Sequence, residues 1–408
     1  MFRNVNYSFI IVILLTACRA SQRTLQFFLN PGCDEICKVE NVTTVYLRAD
    51  GARDTLHYVW DFVGNPSLLL AVTSPSAQLR VDWDDYLVNL PQSIKFTETP
   101  KYTFGIVIQK IYEFNDVNDT GLLDTVRAAN INVLNTKMFK WLRRNIVNDT
   151  RFVELQMDSD VYSDPESNIT RVGNLQIMLN GFNTLDHSDV MPHMLHSENS
   201  TQIDIVFNKL ETNSTFKSSR FGMELLLVSE QSPYEPMSVD AMKSLDDEHT
   251  PGIFEVVELK TPFVKIKDGA SNAAYLQWRP VSYTESSRSV TDTTESVYYP
   301  LVNVTGQSSV AMDSLLYAYY GHRMDGMLAE KLNITLGTKG DGFYKKSNYT
   351  TWTFIVGYGV PPAERFSYLV IMIISIGVGL PAMIMLVVGI YMCARRIPQR
   401  NRNLLVNS

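Results

Sequence analysis

The chain has 408 residues, of which 45% are hydrophobic and 19% charged. This composition excludes a mainly disordered protein, and the length predicts two or three domains. The net charge is −7, and arginines without acids at both ends leave the stretch between them more acidic still. An acidic body without basic runs excludes nucleic acid as a partner, because phosphate neutralisation needs clustered Lys and Arg.

Met1-Phe2-Arg3 precedes an apolar run from Phe9 to Leu15 and a small residue at Ala20. This charged, apolar, small-residue order predicts a secretory signal peptide over residues 1–20. At the other end, Phe366 to Ala394 contains no charged residue over 29 positions. About 20 apolar residues cross a bilayer core, so this is read as a transmembrane helix. Arg395, Arg396, Arg400 and Arg402 follow, and the positive-inside rule places this tail in the cytosol. The body then faces the lumen as part of a single-pass type I protein.

The sequons test that topology independently. Asn-X-Ser/Thr stands at Asn41, Asn118, Asn148, Asn168, Asn199, Asn213, Asn303, Asn333 and Asn348, all between the signal and the span. Each is a candidate N-glycosylation site on a body inside the secretory pathway. Cys33 and Cys37 are the luminal cysteines, spaced to close a small disulfide loop in an oxidising lumen. Cys393 sits at the cytosolic edge of the span.

Within the body, Thr55–Trp60 follows the turn dipeptide Asp50-Gly51, which predicts strand–turn–strand. Lys101–Phe114 reads as a long strand. Further strands are expected over Gln202–Leu210, Phe221–Ser229, Gly252–Leu259, Ala274–Tyr283, Ser296–Val304, Lys331–Leu336 and Thr351–Tyr358. One helix is expected over Thr136–Asn145, from the spacing of Met138, Phe139, Trp141 and Leu142. The fold class that follows is an all-β luminal region, β-sandwich-like and built as two packed domains, plus one C-terminal transmembrane helix. The expected boundaries are signal 1–20, first β domain 21–165, second β domain 166–359, stalk 360–365, span 366–394 and tail 395–408. Pro361 and Pro362 stiffen the stalk and hold the body close to the bilayer.

Catalytic patterns are weak. Asp119-Thr120-Gly121 has the letters of an aspartic-protease loop, but that chemistry needs two such carboxylates and one loop is present. His187, His193 and His196 lie among acids but lack the spacing of a helical zinc site. Asp246-Asp247-Glu248-His249 reads as an acidic turn, with docking as its sharper use. No catalytic residue, metal or cofactor is expected. In the span, Ser375, Gly377, Gly379 and Ala382 offer small surfaces for helix packing.

Five segments appear in an order that resembles the glycosylated lysosomal membrane protein family. They are Thr55-Leu-His-Tyr-Val-Trp60, Ser244-Leu-Asp-Asp-Glu-His-Thr-Pro251, Gln277-Trp-Arg-Pro-Val-Ser-Tyr283, Leu332-Asn-Ile-Thr-Leu-Gly337 and Trp352-Thr-Phe-Ile-Val-Gly-Tyr-Gly-Val-Pro-Pro362. The resemblance covers nearly the whole body and the span, and it fits an invertebrate or distant member. It implies a type I glycoprotein of the lysosomal membrane. It further implies a non-enzymatic accessory subunit of a major-facilitator-superfamily transporter that exports dipeptides, shielding that transporter from luminal proteases. Vertebrate members carry additional luminal cysteines and a tyrosine-type tail signal. Here the tail reads Asn401-Arg-Asn-Leu-Leu405, a dileucine without an upstream acid. The alternatives are a membrane-anchored luminal hydrolase and a cell-surface receptor or adhesion glycoprotein.

Overall fold

The computed structural model describes residues 22–33, 35–39, 42–231, 234–246, 252–265, 271–364 and 368–405. The expected signal peptide, Asn41 and residues 247–250 of the acidic turn lie outside them.

The chain begins as a meander of β1 (Thr24–Leu29), β2 (Thr44–Asp50), β3 (Thr55–Asp61), β4 (Ser67–Thr73) and the long β5 (Tyr102–Asn115). β6 (Ile131–Asn135) pairs with the second half of β5. The chain then crosses to a second sheet through β7 (Leu142–Asn148), β8 (Phe152–Asp164), β9 (Ile169–Phe182) and β10 (Ser200–Asn208). β11 (Ser219–Ser229) returns to the first sheet beside β5. β12 (Ser238–Asp246), β13 (Gly252–Lys260), β14 (Ala274–Trp278) and β15 (Val281–Tyr283) extend the second. β16 (Thr293–Tyr298), β17 (Val302–Asn303) and β18 (Leu328–Leu336) complete the first, and β19 (Tyr349–Tyr358) closes the second between β10 and β14.

All these pairings are antiparallel. The first sheet runs β1-β2-β3-β4-β5-β11-β18, with β16 and β17 on the outer side of β18. The second runs β7-β8-β9-β10-β19-β14-β13-β12. β15 pairs with both β16 and β19 and so joins the sheets at one corner.

The sheets face each other across one apolar core. Phe207 of β10 stacks on Phe221 of β11 at 4.9 Å, and Trp278 of β14 meets Tyr298 of β16 edge-on at 5.7 Å. Such ring pairs add about 0.5–1.5 kcal/mol each beyond their buried area. Gly181 of β9 admits Leu47 of β2, since a Cβ there would lie 2.1 Å from Leu47 Cδ2. The expected all-β body with one C-terminal apolar helix is therefore present. The division expected at residue 165 falls in the turn of the β8–β9 hairpin, and core residues from Val45 to Val356 form one cluster across it.

A third layer was not legible in the sequence. α1 (Glu35–Val39), α2 (Trp83–Leu87) and α3 (Leu315–Tyr320) cover the outer face of the first sheet. Their Trp83, Leu316 and Tyr320 pack on Val59, Leu69, Val107 and Leu226. Gly105 leaves the space that Leu316 fills. This cover explains why β3, β4 and β11 are buried at every position, because strands covered on both faces read as continuous apolar runs.

The helix expected over Thr136–Asn145 is not formed. Thr136–Met138 is a single 3₁₀ turn, and Leu142–Asn148 is strand β7, paired with β8. Phe139 and Trp141 instead reach Tyr162 and Phe62 separately, with ring centroids 4.8 and 5.5 Å apart. Tertiary packing of these aromatics overrides their helical spacing. The run expected over Ala274–Tyr283 is split at Pro280 into β14 and β15, since proline cannot donate to a ladder.

A short helix α4 (Tyr344–Ser347) precedes β19, after which the chain folds back on the second sheet and leads to α5 (Tyr368–Leu405). Its Val370–Cys393 segment has a mean hydropathy of 2.6 and is long and apolar enough to span a membrane. The helix continues through Pro381 without a break.

Candidate functional site

The residues with catalytic letters serve as structural ties. Arg220, fully buried on β11, donates from Nε to Asp116 Oδ2 at 2.9 Å and from Nη2 to Asp119 Oδ1 at 2.7 Å. Its Nη1 reaches Asp341 at 2.6 Å, and its guanidinium lies over the Phe343 ring. The Asp119-Thr120-Gly121 loop is thus pinned to the Gly337–Gly342 loop through one cation. Burial raises the Asp116 and Asp341 carboxyls, but backbone donors and Arg220 outweigh it and hold both below the usual range. Neither Asp116 nor Asp341 is poised to exchange a proton at mildly acidic pH.

The three histidines do not converge. His196 stacks on Phe182 at 3.5 Å, with Nδ1 3.1 Å from the Thr184 carbonyl, and burial pushes it down to about 4. His193 Nδ1 lies 2.7 Å from the Ser188 carbonyl. His187 Nε2 lies 2.8 Å from Glu364 Oε2. Among the described residues, no group of three His, Cys, Asp or Glu side chains is arranged to hold a metal ion.

Among the described residues, Glu364 and its neighbours tie the chain that leads to α5 back onto the body. Gly359–Glu364 runs back across the outer face of the second sheet. Gln277 Nε2 donates to the Pro362 carbonyl at 3.4 Å, and Arg279 Nη2 to Glu364 Oε1 at 3.4 Å. The Arg279 guanidinium also lies 3.5 Å from the Phe254 ring centroid, which ties the β12–β13 ribbon into the same cluster. Side-chain exposure is 9% for Glu364 and 5% for Arg279, so this ion pair is shielded from solvent. Met242, Ser244 and Val256 line a small cavity together with Pro362, Ala363 and Glu364. Sequence reasoning expected a stalk over residues 360–365 and missed this clamp. The available signal was a lone acid beside the prolines, with a Trp-Arg-Pro segment far away in the chain.

The sequons divide by exposure. Asn118, Asn148, Asn168, Asn303 and Asn348 are exposed, on turns or at strand ends. Asn199 is half-buried and its Oδ1 accepts from Arg23 Nε at 2.8 Å. Asn213 is half-buried, with Oδ1 accepting from the Thr215 amide and hydroxyl. Asn333 lies inside β18 opposite Glu224. Cys33 and Cys37 are disulfide-bonded, with Cys37 inside α1. Asp246 ends β12, and the rest of the acidic turn lies outside the described residues. Ser375, Gly377, Gly379 and Ala382 lie on α5, and the first, third and fourth share a face by helical spacing.

A family model described as "Glycosylated lysosomal membrane protein" matches residues 43–399. Glycosylated lysosomal membrane protein B of Xenopus laevis is 28% identical over 391 residues, covering 94% of this chain and 93% of its own. The Danio rerio protein is 29% identical over 389 residues, covering 92% and 90%. The Homo sapiens protein is 23% identical over 352 residues, covering 84% and 81%. The chain belongs to the glycosylated lysosomal membrane protein family.

Proposed function

We propose that this protein is a non-enzymatic accessory subunit of a lysosomal major-facilitator-superfamily transporter for dipeptides. In this reading the body is luminal, α5 crosses the membrane once, and the arginine-rich end is cytosolic. The observation that supports it is the clamp at Glu364, which ties the chain to the β body four residues before α5 begins. A body held there lies over whatever shares the bilayer with α5. Its chain is bound into two sheets and a helical cover, so it offers a protease few extended segments. Glycans on the exposed sequons add a hydrophilic coat. The Ser375, Gly379 and Ala382 face of α5 supplies a surface for close helix approach. The two β domains expected on either side of residue 165 act here as one body.

The test is purification in mild detergent with the chain as bait. A major-facilitator transporter in near-stoichiometric amount is expected. Recovery of the chain without any integral membrane partner contradicts the reading.

A further inference from the structure

The chain between the Glu364 clamp and α5 is short. Glu364 is bound to His187 and Arg279, and α5 begins at Tyr368. Four peptide steps at about 3.3–3.6 Å each let the two Cα atoms lie no more than about 14 Å apart. The apolar segment Val370–Cys393 begins two residues after Tyr368, so the start of α5 lies close to the membrane surface. The headgroup zones are each several ångströms deep. Glu364 therefore lies at or just above the headgroups.

That position selects one face of the body. Glu364 sits on the outer face of the second sheet, among Met242, Phe254, Arg279 and the loop that carries His187. β13 pairs with β14 only over Val257–Lys260, so its first half and the facing half of β12 extend past the sheet as a two-stranded ribbon. Met242 on this ribbon is 41% exposed, an apolar side chain beside the clamp. Val190, in the histidine loop, is 52% exposed. Large apolar side chains left in solvent beside a membrane anchor suit the headgroup–acyl boundary, where each buries apolar area. The opposite face differs: α2 and α3 cover it, and the body's thickness separates it from Glu364.

We infer that the outer face of the second sheet, centred on the β12–β13 ribbon, Arg279 and the Glu364 clamp, rests on the lipid surface of the membrane that α5 spans. Its partner is the phospholipid headgroup layer itself. Arg279 and His187 hold the posture by fixing Glu364, and Met242 makes the lipid contact. This goes beyond the subunit reading and applies to the chain with or without a transporter.

The test uses the full chain in phosphatidylcholine vesicles whose headgroups carry a fluorescence quencher. A fluorophore is attached through Met242→Cys or, on the far face, through Val88→Cys, each with Cys393→Ser. Quenching several-fold stronger at position 242 than at 88 is expected. Equal quenching, or stronger quenching at 88, overturns the proposal. Glu364→Ala should lower quenching at 242 towards the value at 88 while the near-ultraviolet circular dichroism of the body stays unchanged. Glu364→Gln, which keeps the side-chain shape, is measured beside it to separate loss of the clamp from loss of the fold. Undiminished quenching in both variants contradicts the role of the clamp. Because no transporter is present, failure here leaves the subunit reading standing, and failure of that reading leaves this posture standing.

Discussion

The guanidinium of Arg220 lies 2.7 Å from Oδ1 of Asp119, so the residue with the letters of a protease carboxylate is spent on an ion pair. Arg220 also binds Asp116 and Asp341, and all three ties depend on one buried cation. Arg220→Ala removes the counter-charge from the buried Asp116 and largely buried Asp341 carboxylates, which typically costs about 3–5 kcal/mol. Urea unfolding should show a loss of that order, with Arg220→Lys intermediate because ammonium cannot reproduce the fork. A loss under 1 kcal/mol (roughly the value of a surface pair) would contradict the hub.

Acidification should weaken the fold through two histidines. His57 is fully buried, with Nδ1 2.7 Å from Tyr46 Oη and Nε2 2.7 Å from Thr73 Oγ1. Burial, and then Arg48, push it down to about 3, while burial pushes His196 down to about 4. Both folded values lie below the usual histidine value near 6.5, so the unfolded chain binds more protons in acid. Their contribution is complete above about pH 6.5 and shrinks as pH falls, by about 2 kcal/mol each between pH 7 and 5. Unfolding free energies at these two pH values should show the loss, and His196→Asn should make the slope shallower.

Buried carboxyls act in the opposite sense. Burial raises Asp61, against the donors that bind it, and also Glu330. A raised carboxyl stabilises the fold in acid and loses that contribution as pH rises through its folded value. Asp61→Asn should therefore be tolerated better at pH 7 than at pH 4.5, with the difference read from paired melting curves. Equal cost at both pH values contradicts a protonated Asp61. The two effects oppose each other.

Much of the strand content was legible because β3, β5, β10, β11, β18 and β19 carry dense β-branched and aromatic runs between turn residues. The hairpin β8–β9 was not, because the Asp, Ser, Pro and Glu residues around its turn read as a domain boundary, although its strands form one antiparallel pair with a register shift between Ser159 and Val161. The helical cover was also missed, since α3 is six residues long and buried at every position, so no amphipathic period exists to detect. The candidate site was legible at its ends only. The stalk and span stand out in sequence, whereas the clamp joins Glu364 to partners 85 and 177 positions away.

The layer contact between Gly181 and Leu47 gives a packing test. Gly181→Ala places a methyl group on Leu47 and should cost about 1–3 kcal/mol. Leu47→Val alone removes buried volume and also destabilises. In the double variant the two changes relieve each other, so its loss should be smaller than the sum of the single losses. Strict additivity would mean that the sheets do not meet there.

Glycan occupancy should follow exposure. Replacing Asn118, Asn148, Asn168, Asn303 or Asn348 by Gln should each raise electrophoretic mobility by one glycan step. Asn333→Gln should not, because its Oδ1 is buried, and Thr335 of its sequon is fully buried. A mobility step on Asn333→Gln would contradict the placement of β18.

The lifetime of the proposed partner transporter in lysosomes that lack this chain tests the proposed shielding most directly. The account predicts rapid loss of the transporter, reversed when luminal proteases are inhibited. A transporter that persists unchanged without the chain, or one lost equally under protease inhibition, contradicts it.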